Sequence, residues 1–143
     1  LLPMTPAGEI DWVSFRSLLE RTVAAGLTPA VNMDTGFVQL LDEEERVEVL
    51  DLAKAVAGGE FVAGAHVADA PGDAWGHEAT VRAMETIEAR GGIPVVFPSH
   101  GLTAVEGAGW AGAHARLGET SDRFIGGGRE HGSTPGGPRG ADF

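Results

Sequence analysis

The stretch Ala30-Val31-Asn32-Met33-Asp34-Thr35-Gly36-Phe37 decides the fold of this chain. An apolar run ends there in a polar turn, and the acidic segment 42–45 that follows is typical of a helix start. A buried parallel strand that leads through a turn into a helix delivers polar groups to the mouth of an α/β fold. The stretch therefore predicts a strand with polar side chains at its carboxyl end.

The same pattern of an apolar run followed by polar residues occurs twice more. Residues 61–65 lead into His66 and Asp69, and residues 93–97 lead into Ser99 and His100. Helical periodicity separates these runs at a repeat of roughly 30 residues, which is the length of a βαβ unit. The pattern predicts a parallel sheet with helices packed on it and a polar side chain at each of three successive strand ends.

Three aspartates mark the starts of predicted helices. Asp11, Asp42 and Asp73 stand at N-cap positions, and glycines after each apolar stripe mark the helix ends. Asp42 with Glu45 three residues later resembles a capping box. A fourth helix is predicted over residues 103–117, although each of its glycines costs about 1 kcal/mol relative to alanine.

Together these elements form four strand-helix units, and residues 121–126 begin a fifth strand. The first strand is expected before the turn at Met4. Eight such units close a (β/α)8 TIM barrel of about 250 residues, so the sequence predicts an α/β fold that is the first half of a TIM barrel. A doubly wound sheet is the competing architecture, but the segment after the first predicted strand lacks its glycine-rich phosphate loop.

Both ends of the sequence indicate a piece of something larger. The chain begins at Leu1 inside an apolar run, and its composition changes abruptly after residue 125. We predict a partial TIM barrel over residues 1–125 and a disordered tail rich in Gly, Pro and Arg over residues 126–143. The tail is interpreted either as a flexible linker or as a frameshift product, and we favour the second because the fifth strand is cut off as it enters the core.

Composition argues against several classes of function. A net charge of -11 without a basic cluster disfavours nucleic acids and anionic membranes as partners. The absence of cysteine rules out disulfides and thiolate metal sites. The sequence also lacks an apolar stretch of about 20 residues and a signal-peptide pattern, so we expect a soluble cytoplasmic protein.

The motifs at these positions resemble those of the dihydrodipicolinate synthase and N-acetylneuraminate lyase family. Residues 32–37 stand where that family carries its Gly-Thr-Thr-Gly-Glu signature, and residues 40–46 are similar to the Leu-Thr-x-Glu-Glu-Arg that follows it. The resemblance covers about residues 1–125. Three further matches are Met4-Thr5-Pro6 with the segment 8–11 after it, Ala63-Gly64 in the third predicted strand and Phe97-Pro98 at the end of the fourth.

This resemblance implies a TIM-barrel class I aldolase, homo-oligomeric as a whole protein, that acts on 2-oxo acids such as pyruvate without a cofactor. Its chemistry runs through a Schiff base to a lysine on the sixth strand, whose amine needs a lowered pKa to attack a carbonyl. The only lysine of this chain is Lys54, in the second predicted helix, where a solvated surface position is expected. We therefore expect the chain to be unable to form the Schiff base and to be inactive as it stands.

The resemblance also assigns candidate site residues. The family's first signature threonine, part of a proton relay, falls on Asp34, and the second, which holds the substrate carboxylate, is retained as Thr35. The family's tyrosine after the fourth strand falls on Ser99 or His100, and this chain has no tyrosine. We interpret Asp34 and His100 as candidate catalytic residues, and Thr35, Gly36 and Ser99 as candidate substrate-binding residues.

Two alternatives remain open from the sequence. Asp34, His66 and His100 suit a divalent transition metal ion, although a hydrogen-bonded polar rim without metal explains the same residues. The chain also fits a non-catalytic half-barrel that binds a partner through unpaired sheet edges.

Overall fold

The computed structural model of the chain describes residues 2–105 and 108–126. None of the helices in these ranges is long and apolar enough to span a lipid bilayer. The helices are α1 (Trp12–Ala24), α2 (Glu43–Ala57), α3 (His77–Glu88), α4 (His100–Thr103) and α5 (Ala108–Gly118), and the strands are β1 (Ala30–Val31), β2 (Val62–Ala65), β3 (Ile93–Val96) and β4 (Ile125–Gly126).

The four strands form one parallel sheet in chain order, β1-β2-β3-β4. Helices α2 and α3 connect the first three strands, while α4 and α5 lie between β3 and β4. The arrangement is that of four consecutive strands of a (β/α)8 barrel, which confirms the predicted fold class. It also confirms that residues 121–126 end in a strand, because β4 pairs with β3.

The two faces of the sheet differ in burial. Successive side chains of a strand point to opposite faces, so the register assigns each residue to one of them. The face that packs against the helices is buried and carries Val31, Ala63, Ala65 and Val96. Most of the opposite face is half-buried or exposed; it carries Ala30, Val62, Ile93, Val95 and Ile125.

Helical stripes complete the core. As the periodicity predicts, each of the three longest helices directs a small apolar set into the core. The buried members are Phe15 and Leu19 of α1, Val49, Leu50 and Ala53 of α2, and Met84 and Ile87 of α3. Lys54 is exposed, as expected.

Two of the three predicted N-caps are confirmed. Asp11 accepts a hydrogen bond from the Ser14 amide at 3.0 Å. Asp42 and Glu45 form the capping box, since the Glu45 amide donates to Asp42 Oδ1 at 2.8 Å and the Asp42 amide donates to Glu45 Oε2 at 2.9 Å.

The third predicted cap is wrong. Helix α3 begins at His77, and its N-cap is Gly76. The carboxylate of Asp73 instead accepts from the Ala70 amide at 2.8 Å and closes a turn in the preceding loop. An aspartate side chain can accept a hydrogen bond from a backbone amide in a turn as well as at a helix N-cap. The residue type alone therefore did not distinguish the two positions.

The predicted first strand is also wrong. Residues 2–10 contribute no strand to the sheet; Met4 and Ile10 form an isolated antiparallel bridge around a turn in which the Gly8 amide donates to the Thr5 carbonyl. Pro3 and Pro6 lack the amide hydrogens that a ladder requires, and Gly8 has a φ of 83°, which reverses the chain.

The single fourth helix expected over residues 103–117 is two helices in the described residues. Thr103 is the last residue of α4, and α5 starts at Ala108. The glycine-rich sequence supports a continuous helix poorly. Gly126, assigned to the tail by the sequence, is the last residue of β4. The remainder of the predicted tail, residues 127–143, lies outside the described residues.

Gly64 lies in β2 where two neighbouring chain segments approach its backbone closely. A Cβ atom at this position would lie 2.1 Å from the Asn32 carbonyl oxygen and 2.4 Å from the ring of Phe97. Any side chain here would therefore separate β2 from the chain segments that follow β1 and β3.

We expect Gly64→Ala to lower the free energy of unfolding by about 1–3 kcal/mol, the usual cost of overpacking. The matched control is Gly112→Ala in α5, where nothing lies within 4 Å of the added Cβ and the substitution favours the helix. Urea unfolding monitored by circular dichroism measures both variants. Equal stability of the two variants would contradict the close approach.

Candidate functional site

A cavity of about 460 Å³ lies at the carboxyl ends of β2 and β3. The first 3-10 turn after β1 (Asp34–Gly36) also reaches it. We call it the strand-end cavity. Its polar lining includes Asp34, His66, Asp69, Ser99 and His100, so the structure brings together residues from three successive strand ends.

Asp69 links the two loops that form the cavity. Its Oδ1 accepts from the His100 amide at 3.0 Å, and its Oδ2 accepts from the Gly101 amide at 2.7 Å. Burial raises the pKa of the Asp69 carboxyl. Hydrogen bonds from Gly101, Ser99 and His100, together with the charge of His100, lower the pKa by more than burial raises it, so the net pKa lies below 3.8. The carboxylate therefore stays ionised and ties the loop after β2 to the start of α4.

Close backbone packing fixes the start of α4 further. A Cβ atom on Gly101 would lie 2.7 Å from the Trp75 amide nitrogen and 2.8 Å from the Ala74 carbonyl. Ser99 caps the same helix by accepting from the Leu102 amide at 3.2 Å. These contacts hold Ser99 and His100 at the rim of the cavity.

His66 is half-buried at the end of β2. Burial lowers the pKa of its imidazole, the charge of Arg46 lowers it further, and the charge of Asp69 offsets part of the shift. The net pKa lies below 6.5, so the ring is neutral at pH 7. A neutral imidazole offers one donor and one acceptor to a ligand in the cavity.

Thr35 and Gly36 do not line the strand-end cavity. They line a separate pocket of about 30 Å³ next to Leu2 and Phe15. The Thr35 amide donates to Asp34 Oδ1 at 2.7 Å. The predicted substrate-binding residues are therefore divided, with Ser99 in one cavity and Thr35 and Gly36 in another.

The structure does not support the metal alternative. Within residues 2–105 and 108–126, no group of three or more His, Asp or Glu side chains is placed to hold a metal ion. Asp34, His66 and His100 all line the strand-end cavity, but they do not form such a group.

Two residues that sequence reasoning did not assign to the site are important to it. Asp69 holds the cavity loops together, and Trp75 forms part of the wall, with the Arg116 guanidinium 5.1 Å from its ring centroid. The position of Asp69, only a few residues beyond β2, was a usable signal. The sequence carries no signal that Trp75 belongs to the site, because a tryptophan in a loop is equally consistent with a packing role.

Comparison with known proteins gives matches in structure alone. The sequence matches no family model, and no curated protein matches it significantly. Among solved structures, a monomeric dihydrodipicolinate synthase variant matches with 19% identity and a TM-score of 0.69, covering 87% of this chain and 40% of that one. The 4-hydroxy-tetrahydrodipicolinate synthase of Methylacidiphilum fumariolicum matches with 17% identity and a TM-score of 0.68, covering 87% and 40%.

A third match is the chloride-inhibited dihydrodipicolinate synthase of Acinetobacter baumannii, solved in complex with pyruvate. It shares 19% identity at a TM-score of 0.67, over 86% of this chain and 41% of that one. The chain thus spans about 40% of the length of the structures that it matches. These similarities confirm, at the level of the fold, the resemblance that the sequence motifs indicate.

We expect Asp69→Asn to lower the free energy of unfolding at pH 7 by about 1 kcal/mol, because hydrogen bonds to a charged acceptor are replaced by weaker ones in a partly solvated setting. The pKa of Asp69 is lower in the folded state than in the unfolded state. Its contribution to folding stability is therefore fully present at pH values above its unfolded-state pKa, and it is lost as the pH falls through its folded-state pKa. The difference between the two proteins should shrink as the pH falls below about 4.

Urea unfolding from pH 7 to pH 3 measures this dependence. Asp122→Asn is the control, since Asp122 is exposed and lies outside the cavity. A difference between Asp69→Asn and the parent protein that does not change with pH would contradict the role of the charge.

Proposed function

We propose that the chain forms the N-terminal half-barrel part of a lyase that acts on a 2-oxo acid by aldol chemistry. The observation that carries this proposal is the strand-end cavity on a parallel sheet, in a chain whose fold matches about 40% of a dihydrodipicolinate synthase structure. Barrel enzymes place their active sites at the carboxyl ends of the strands. The pyruvate complex of the Acinetobacter baumannii enzyme supports a 2-oxo acid as the ligand class.

In this proposal the strand-end cavity receives the 2-oxo acid. The rim position of His100 and the neutral ring of His66 provide donors for a carboxylate or a carbonyl oxygen. Asp34 is exposed in the same cavity and is available for proton transfer. Thr35 and Gly36 would need to approach this cavity to bind the same substrate.

Among the residues that the structure describes, no lysine lines the strand-end cavity. Lys54 lies near the end of α2, is exposed, and does not line the strand-end cavity. Imidazole and carboxylate groups form no imine with a ketone, so the histidines and aspartates cannot replace it. We therefore propose that the 143-residue chain binds the substrate class without converting it.

We expect no covalent adduct when the chain is incubated with pyruvate and borohydride, because Lys54, the only lysine of the chain, does not line the strand-end cavity. Intact-mass spectrometry measures the outcome, with the Acinetobacter baumannii enzyme treated in parallel and Lys54→Gln as the matched variant. An adduct on the parent protein that disappears in Lys54→Gln would show that Lys54 forms the imine and would overturn the proposal of inactivity.

We also expect pyruvate to perturb the ring resonances of His66 and His100 in an NMR titration, and His100→Ala to weaken binding about fivefold, as loss of one hydrogen bond to a charged group does. His114→Ala is the control, because the His114 ring packs against Trp110 and lies outside the cavity. Unchanged His66 and His100 resonances at saturating pyruvate would contradict a 2-oxo acid site here.

A further inference from the structure

A second cavity, of about 500 Å³, lies between α2 and α3. We call it the interhelical cavity. Leu50, Ala83 and Ile87 give it an apolar wall, and Asn32 and Arg46 lie among its polar lining. His66 lines both this cavity and the strand-end cavity, so the two are neighbours.

Asn32 lines this cavity and also the small pocket of Thr35 and Gly36, and its side chain carries an unsatisfied acceptor. The residue is 8% exposed and has a φ of 50°. Its Nδ2 donates to the Arg46 carbonyl at 3.0 Å, whereas its Oδ1 is buried without a hydrogen-bond partner. Buried polar atoms in proteins are nearly always paired, so Oδ1 marks a place where a ligand with an N–H or O–H group gains an interaction.

Arg46 is the half-buried charged residue of the lining, and its charge is positive. This charge lowers the pKa of the neighbouring His66, which is neutral at pH 7. One nitrogen of the Arg46 guanidinium, Nη1, donates to the Leu41 carbonyl. A guanidinium has five N–H donors, so Arg46 retains others for a carboxylate. The acidic residues of the lining, Glu43 and Glu85, are exposed.

We infer that the interhelical cavity binds a small 2-hydroxycarboxylate, with its carboxylate on Arg46 and its hydroxyl donating to Asn32 Oδ1. A 2-oxo acid fits the Asn32 side of the cavity less well. Its ketone oxygen has no hydrogen to donate, so two acceptors, the ketone oxygen and Asn32 Oδ1, would face each other. The ammonium group of an amino acid would meet the positive charge of Arg46. The apolar wall accommodates a short hydrocarbon substituent on the ligand.

Four three-carbon acids of matched size test the inference: lactate, propionate, pyruvate and alanine. They are titrated into the 15N-labelled 143-residue chain, and the Asn32 side-chain amide reports on the interhelical cavity. We expect lactate to bind there at least fivefold more tightly than propionate or pyruvate, as one added hydrogen bond provides. We expect alanine to bind more weakly than lactate.

Two variants assign the contacts. Asn32→Gly, which keeps the positive φ accessible, should abolish the preference for lactate over propionate. Arg46→Gln should weaken the binding of all the carboxylates. Arg21→Gln is the matched control, since Arg21 is exposed on α1 and does not line the cavity.

Each outcome decides the inference. Equal binding of lactate and propionate, tighter binding of alanine, or lactate-induced shifts confined to the strand-end cavity would overturn it. The ligand series on the parent protein suffices if a variant fails to fold. Failure of pyruvate to bind the strand-end cavity would count against the proposed function alone, because the lactate measurement follows a different residue and a different cavity.

Discussion

The parallel pairing of β2 with β1 and β3 is the constraint on which the rest of the structure depends. It sets Val31 beside Ala63 and Ala65 beside Val96, so the three strands end at the same edge of the sheet. The pairing is close because Gly64 has no side chain at a point where the Asn32 carbonyl and the Phe97 ring both approach. The polar groups that directly follow β1, β2 and β3 are brought together at this shared edge.

The two cavities follow from how that edge continues into loops. The loop after β2 turns over the end of the sheet, and Asp69 anchors it to the first amides of α4. His66, Val67 and Ala68 then form a common wall, with the strand-end cavity on one side and the interhelical cavity on the other. A ligand in either cavity contacts the same three-residue segment, which physically connects two chemically different sites.

Much of the fold could be predicted from the sequence because its signals are local. Asp42 and Glu45 specify a capping box within one helical turn, and the apolar runs specify the strands. The separation of Thr35 from Ser99 was not predictable, because it depends on a 3-10 turn and on where each side chain points after the strand ends. Asp73 failed as a cap for a related reason, since a local turn competed for its carboxylate.

The sheet face opposite the helices has a thermodynamic consequence. Val62, Ile93 and Val95 are only partly buried there, Ala30 is exposed, and Ile125 is 48% exposed. Apolar surface that is already hydrated in the folded state adds nothing to the heat capacity of unfolding, which scales with newly exposed apolar area. The described half-barrel should therefore have a flatter stability curve against temperature than a closed domain of equal length, and it should lose little stability on cooling.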